Sequence, residues 1–206
     1  MYMRAFYTPP EYTCEEDWLA RELIDTSKAV VSPNIFYHLT GSKKIQQVTS
    51  SLDVMSQFSN EGETMAKYFT ELWSLDHELD QELLDKVRQY PEQFVLKPQR
   101  EGGDNNFFGK DILPFFENYP DQELKKFILM QRIQGTTNVN LVAKNREVRK
   151  IETISEIGVY GSLVAVDGDV VHNEFDGYLL RTKYKDANEG GVASGYSVID
   201  SIFLED

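Results

Sequence analysis

The chain carries a single cysteine, Cys14, in 206 residues, and it is short of positive charge: 21 Lys and Arg stand against 34 Asp and Glu, a formal net charge of -13. One thiol excludes an intrachain disulfide framework and any cysteine-based metal site, and it suits a reducing cytosol. The three histidines, His38, His77 and His172, show no metal-ligand spacing. The acidic balance argues against nucleic acid as a partner, because phosphate backbones reward faces rich in Lys and Arg. No run approaches the roughly 20 apolar residues of a membrane span. The opening Met1 to Pro10 lacks the apolar centre of a signal peptide. The expected setting is therefore cytoplasmic, with no membrane and no nucleic acid.

What is present divides in two. The first part reads as helical. Thr13-Cys14-Glu15-Glu16 has capping-box spacing, and Leu19, Ala20, Leu23 and Ile24 then fall on one helical face. Ser32-Pro33-Asn34 predicts a short helix through Leu39, ended by Gly41. Lys43 and Lys44 open the next, which is expected to reach about Met55. Met65, Ala66, Phe69, Leu72 and Trp73 recur at helical spacing and read as core. Leu79, Leu83, Leu84 and Val87 continue the pattern.

From Phe94 onward the period shortens. Phe94-Val95-Leu96 and Phe127-Ile128-Leu129-Met130 read as buried strands. Thr153 to Val166 is rich in β-branched residues, and Asp167-Gly168 is a hairpin turn before Val170-Val171. Tyr178 to Thr182 and Tyr196 to Phe203 read as further strands, joined by a polar loop over Lys185 to Gly195. The expected class is α+β, as lobes around a cleft. Residues 1–93 form the mainly helical part, and 94–206 the strand-rich part, with a loop at 184–195.

The stretch with most chemistry is Lys97-Pro98-Gln99-Arg100-Glu101-Gly102-Gly103-Asp104-Asn105-Asn106, directly after the first strand. Its glycines let backbone N–H groups approach anionic oxygens. Lys97 and Arg100 bring positive charge, and Glu101 offers a hard oxygen ligand for Mg²⁺. The spacing is neither a Walker A loop nor a dinucleotide fingerprint. By itself the stretch reads equally well as a phosphate-binding loop or as a charged turn. Lys43 alone reads as a solvated helix lysine, Arg181 and Lys183 as strand-edge charges, and Glu156 as a surface partner of a lysine.

The stretch resembles the glycine-rich loop of eukaryotic-type glutathione synthetases, of the ATP-grasp class. Further blocks match in order: Gly41-Ser42-Lys43-Lys44-Ile45-Gln46-Gln47, Met130-Gln131-Arg132-Ile133, Ser155-Glu156-Ile157-Gly158, Gly177 to Lys183, and Gly190 to Gly195. Together they span nearly the whole chain. The resemblance implies ATP-grasp-like lobes with a glycine-rich lid. It also implies ATP-dependent ligation of γ-glutamylcysteine and glycine through an acylphosphate, with Mg²⁺. For ATP it assigns Lys43, Lys97, Pro98, Gln99, Arg100, Glu101, Gly102, Gly103, Asp104, Asn105, Asn106 and Phe108. At the adenine it places Met130, Gln131, Arg132 and Ile133, and it adds Glu156, Lys183 and Glu189 to the nucleotide set. Glu101 is its metal ligand. Arg181 and Lys183 are its catalytic cations, and Arg181 also belongs to its substrate set with Arg4, Tyr7, Val192 and Ala193.

Three departures accompany the match. Asp104 stands where the family loop has a third glycine, Phe108 replaces a tyrosine, and Glu189 replaces an aspartate with one additional residue before the paired glycines. Family members also run more than twice as long, so this chain corresponds to their C-terminal portion. The missing N-terminal portion, or a second copy, is the expected macromolecular partner. Two other readings are an ATP-grasp homologue using a different amino acid, and a non-catalytic homologue that binds nucleotide or thiol peptide.

Overall fold

A computed structural model describes residues 1–76, 80–99, 105–118, 121–144 and 146–203. The architecture is α+β, in two compact units, Met1–Ile133 and Gln134–Asp206. The change of period at 93/94 falls inside the first unit.

The first unit opens with helices whose starts are set by polar side chains. Helix α1, Glu15–Asp25, begins after Cys14. Asp17 accepts the Thr13 N–H at 2.7 Å and the Cys14 N–H at 3.3 Å, so the capping acid is Asp17 rather than Glu16. Its expected apolar face is corrected too. Leu19 and Leu23 are 54% and 71% exposed, while Arg21 is buried and paired with Asp25 one turn on. Helix α2, Ile35–Thr40, is capped by Asn34, whose Oδ1 accepts the Tyr37 N–H at 3.0 Å, and Gly41 ends it as expected.

The single helix expected from Lys43 to Met55 is two, α3, Lys43–Thr49, and α4, Leu52–Phe58. The break has a local cause. The Thr49 hydroxyl donates back to Ile45 O and the Ser50 hydroxyl to Gln47 O, offering the backbone an exit that Ser51 completes. The helical stripe from Met65 to Trp73 is likewise divided. Helix α5 covers only Gly62–Ala66, and Leu72–Ser74 is strand β1. Trp73 meets Leu129 across a ladder instead of a helix.

After β1, helix α6, Gln81–Gln89, leads into strand β2, Phe94–Pro98. A two-residue strand, β3, Phe107–Phe108, precedes helices α7, Leu113–Asn118, and α8, Asp121–Leu124. Strand β4, Phe127–Gln131, then runs up the middle of an antiparallel sheet of order β1-β4-β2-β3. The core beneath one face is built by Val87, Phe94, Leu96, Ile112, Phe115 and Leu129, with Trp73 and Phe107 against it. Each such side chain contributes about 1.5–3 kcal/mol by leaving water, and that burial fixes which face of β2 is left for chemistry.

The second unit is one antiparallel sheet of order β5-β6-β7-β8: Thr137–Lys144, Glu147–Val166, Asp169–Tyr184 and Ser197–Asp200. The expected hairpin turn is present, with Asp167 at φ 52° and Gly168 at φ 92°, the left-handed pair of a two-residue turn. The strands on either side are far longer than the sequence suggested, and β5 was not foreseen at all. Its apolar residues, Val139, Leu141 and Val142, are too sparse among Asn and Thr to announce a strand. Polar side chains tie the other face of this sheet. Ser155 and Thr182 share a hydroxyl contact of 2.8 Å, and Thr182 donates to Asp200 at 2.7 Å.

Candidate functional site

In the first unit, strand alternation sorts the expected nucleotide residues. Phe94 and Leu96 enter the core, so Val95 and Lys97 take the opposite face. Register then places Lys97 opposite Ile128, and Val95 between Met130 and Phe108. Lys97, Met130 and Phe108 therefore share one face of the sheet, and helix α3, which begins at Lys43, lies against β1 and β4. Phe108 underlies the Arg132 guanidinium, 5.7 Å from ring centroid to Cζ. The N–H groups of Gln131 and Arg132 are engaged, donating to Glu71 O at 2.9 Å and Gln93 O at 2.7 Å.

Beyond β2, Gln99 turns its Oε1 to the N–H of Lys44 at 2.9 Å, joining the strand exit to the first turn of α3. Pro98 closes β2, and Asn105 and Asn106, half-buried, precede β3. Arg100, Glu101, Gly102, Gly103 and Asp104 lie outside the described residues. Among the described residues, no three His, Cys, Asp or Glu side chains gather closely enough to hold a metal. Toward the chain start, the Tyr7 hydroxyl donates to Met3 O at 2.8 Å, and its ring meets His38 edge-on at 4.6 Å. Arg4 is exposed.

The second unit gathers the other group. Glu156 on β6 is the register partner of Arg181 on β7, and Lys183 follows on the same face. One carboxylate serves both cations: Oε2 accepts from Arg181 Nη2 at 3.0 Å, and Oε1 pairs with Lys183 Nζ at 3.0 Å. The cluster carries one net positive charge. Lys183 is only 13% exposed, against 39% for Glu156 and 42% for Arg181. Its ammonium also donates to Asn188 O at 3.4 Å, at the start of the loop that joins β7 to β8. The loop backbone passes directly over the carboxylate, for a Cβ at Gly190 would stand 3.2 Å from Glu156 Oε2.

The far half of that loop is closed on itself. Gly191 O accepts from Tyr196 N–H at 2.9 Å, Ser197 N–H at 3.2 Å and the Ser194 hydroxyl at 3.2 Å. Val192, half-buried, and Ala193, exposed, form its tip. Lys144 donates to Gly195 O at 2.6 Å and holds the far end. Sequence reasoning missed Lys144, as it missed Ser74 and Asp76 in the first unit. No spacing rule joins residues some 50 positions apart, and the Ser-Leu-Asp run after Trp73 was hidden inside the helical stripe.

A lysine on the sheet face beside a strand exit, and a carboxylate-bridged Arg/Lys pair under a glycine loop, each on an antiparallel sheet, belong to an ATP-grasp-like α+β protein. Comparison narrows the class. The model of the eukaryotic glutathione synthase ATP-binding domain matches residues 8–204, and the chain belongs to that family. Over 99% of its length it is 42% identical to the chloroplastic glutathione synthetase of Arabidopsis thaliana, covering 38% of that protein. It is 38% identical to the glutathione synthetase of Dictyostelium discoideum, covering 44%. To the glutathione synthetase large chain of Schizosaccharomyces pombe it is 37% identical, covering 42%. The chain thus spans well under half the length of these relatives. A glutathione synthetase-like effector from Globodera pallida, in its apo form, shares the fold at a TM-score of 0.66 and 21% identity, over 88% of this chain and 38% of that one.

Proposed function

We propose that this chain is the ATP-binding portion of a glutathione synthetase, an ATP-dependent peptide-forming ligase acting on γ-glutamylcysteine and glycine in the cytoplasm. The observation that carries the reading is the Glu156 carboxylate shared between Arg181 and Lys183 under Gly190. In the proposed reaction a dipeptide carboxylate oxygen attacks the γ-phosphorus of ATP and ADP leaves. The glycine nitrogen then attacks the acylphosphate carbon, and phosphate leaves as the C–N bond forms. Anion meets anion in the first step, so positioning and charge neutralisation carry the catalysis.

Lys43 and Lys97 engage the triphosphate. Arg181, a planar guanidinium, holds the substrate carboxylate, and Lys183 serves the phosphates. Ile133 supplies the N–H for the adenine edge, since those of Gln131 and Arg132 are already engaged. Arg4 and Tyr7 contact the dipeptide, and the loop tip at Val192 and Ala193 covers it, excluding the water that would hydrolyse an acylphosphate. Mg²⁺ accompanies ATP and neutralises phosphate charge, with Glu101 as the protein ligand. Glu101 alone is an incomplete ligand set, so phosphate oxygens of ATP would complete the coordination. The polypeptide that matches the rest of the relatives' length, or a second copy of the chain, completes the dipeptide pocket.

The test is glycine-dependent ADP release from ATP, Mg²⁺ and γ-glutamylcysteine, by the chain alone and mixed with the N-terminal portion of a related synthetase. We expect turnover only in the mixture. A mixture that stays silent while an intact relative turns over would overturn the reading.

A further inference from the structure

The sequence offers two adjacent lysines, Lys43 and Lys44, of which the family resemblance assigns Lys43 to ATP and leaves Lys44 without a role. The structure separates them. Lys44 Nζ donates to Ser74 Oγ at 2.7 Å and forms an ion pair with the Asp76 carboxylate. Ser74 sits at the end of β1, and its hydroxyl donates to Asp76 Oδ2 at 2.9 Å while accepting the Asp76 N–H at 3.1 Å. Lys44 is gripped at its other end as well, its own N–H donating to Gln99 Oε1 at 2.9 Å. Gln99 is in turn held by its N–H on Lys126 O at 3.2 Å, just before β4.

One residue in the first turn of α3 is therefore tied to the ends of β1 and β2 at once. An exposed Lys–Asp pair by itself is worth little. This one is half-exposed and built from four side chains, Lys44, Ser74, Asp76 and Gln99, and two backbone N–H groups, those of Lys44 and Asp76, so its geometry is specified from several directions. Consecutive residues on a helix point about 100° apart. Fixing the azimuth of Lys44 therefore fixes that of Lys43, and prevents α3 from turning to offer either lysine at random.

We propose that Lys44, Ser74 and Asp76 form a positioning lock, with Gln99 as its second anchor, that sets the rotation of α3 so that Lys43 is presented to the nucleotide phosphates. Lys44 and Asp76 are positioning residues and touch no ligand. The choice of phosphates as the target of Lys43 rests on the function proposed above; the lock itself does not.

The test uses the 206-residue chain with MgATP as probe. Lys44→Met and Asp76→Asn are each expected to weaken MgATP binding about tenfold in calorimetry, and the exchanged pair, Lys44→Asp with Asp76→Lys, to recover most of that loss. Combining Asp76→Asn with Lys43→Met should cost no more than Lys43→Met alone, because interacting residues are not additive. Fully additive losses, or no recovery in the exchanged pair, overturn the lock. Amide exchange provides a readout without nucleotide: Asp76→Asn should speed exchange at Lys44 and Gln46, and unchanged rates there also overturn it. If the unsubstituted chain binds no MgATP, the functional reading fails, and the exchange result alone decides the lock.

Discussion

Glu11 shapes the segment that carries Tyr7. Its carboxylate accepts the N–H groups of Tyr7 at 2.7 Å, Thr8 at 2.9 Å and Phe6 at 3.3 Å. Phe6 is held at φ 64°, a conformation that non-glycine residues adopt rarely. The hydrogen bond from the Thr8 backbone is the main cause that lowers the Glu11 pKa, with those of Tyr7 and Phe6 adding to it. A carboxyl depressed on folding stabilises above its ordinary range and loses that contribution as pH falls through the folded value. Amide protection at Tyr7 and Thr8 should therefore persist at neutral pH and vanish in acid. Glu11→Gln should remove the protection at neutral pH, and protection that is independent of pH would refute this account. At the second cluster, Glu156→Gln should weaken MgATP binding several-fold while changing the unfolding temperature little, because the Arg181–Glu156 pair is half-exposed and the glutamine amide oxygen can still accept from Lys183, which is 13% exposed. A drop of many degrees in that variant would mark Glu156 as structural.

At the scale of elements, β4 is where stability and site coincide. Leu129 points into the core and Met130 to the opposite face, so Leu129→Ala should destabilise the first unit by about 3 kcal/mol. Denaturant titration measures this, and a loss below about 1 kcal/mol would contradict the packing. In α1, Asp25→Ala would leave the Arg21 guanidinium buried without its partner, at a cost of about 3 kcal/mol by the same titration. These two elements also show how far the sequence could be read. Strands β2 and β4 were legible because three or four apolar residues in a row have one economical use, and Asp167-Gly168 because few other pairs accept two left-handed conformations. The inward face of α1 was not legible. An Arg–Asp pair spaced one turn apart looks identical whether it faces solvent or the interior, and only tertiary contacts decide. Trp73 was misplaced for a related reason, since a strand three residues long carries too little alternation to overcome an accidental helical spacing. Site residues given by the family resemblance fell into two groups, Lys97, Met130 and Phe108 on one sheet face and Glu156, Arg181 and Lys183 on another. Lys44 lies in a matching block but is given no role there, Ser74, Asp76 and Lys144 match no motif, and the contacts of all four emerge only from distances.

For the molecule as a whole, the proposed function would have a chain of net charge -13 recruit a polyanion against its own field. Mobile ions screen the distant carboxylates more than the close, partly buried contacts. The association rate of MgATP should therefore rise as NaCl increases from about 10 mM to about 150 mM, measured by stopped-flow with a fluorescent analogue. A steep fall would show that binding rests on dispersed surface cations. The β6–β7 ribbon leaves Ile157, Val159, Phe175 and Tyr178 exposed. A patch of that kind should bind hydrophobic dyes and limit solubility, and Phe175→Ser should relieve both. The Gly191 carbonyl carries a different consequence. The hydrogen bonds that shape the loop from Gly191 to Ser197 come from backbone groups, the Ser194 hydroxyl and the Lys144 ammonium, and the apolar side chains of Val192 and Ala193 can make none. On the proposed reading those two positions form a cassette: a lineage, or a designer, can trade their side chains to admit a bulkier amine without rebuilding the loop that presents them.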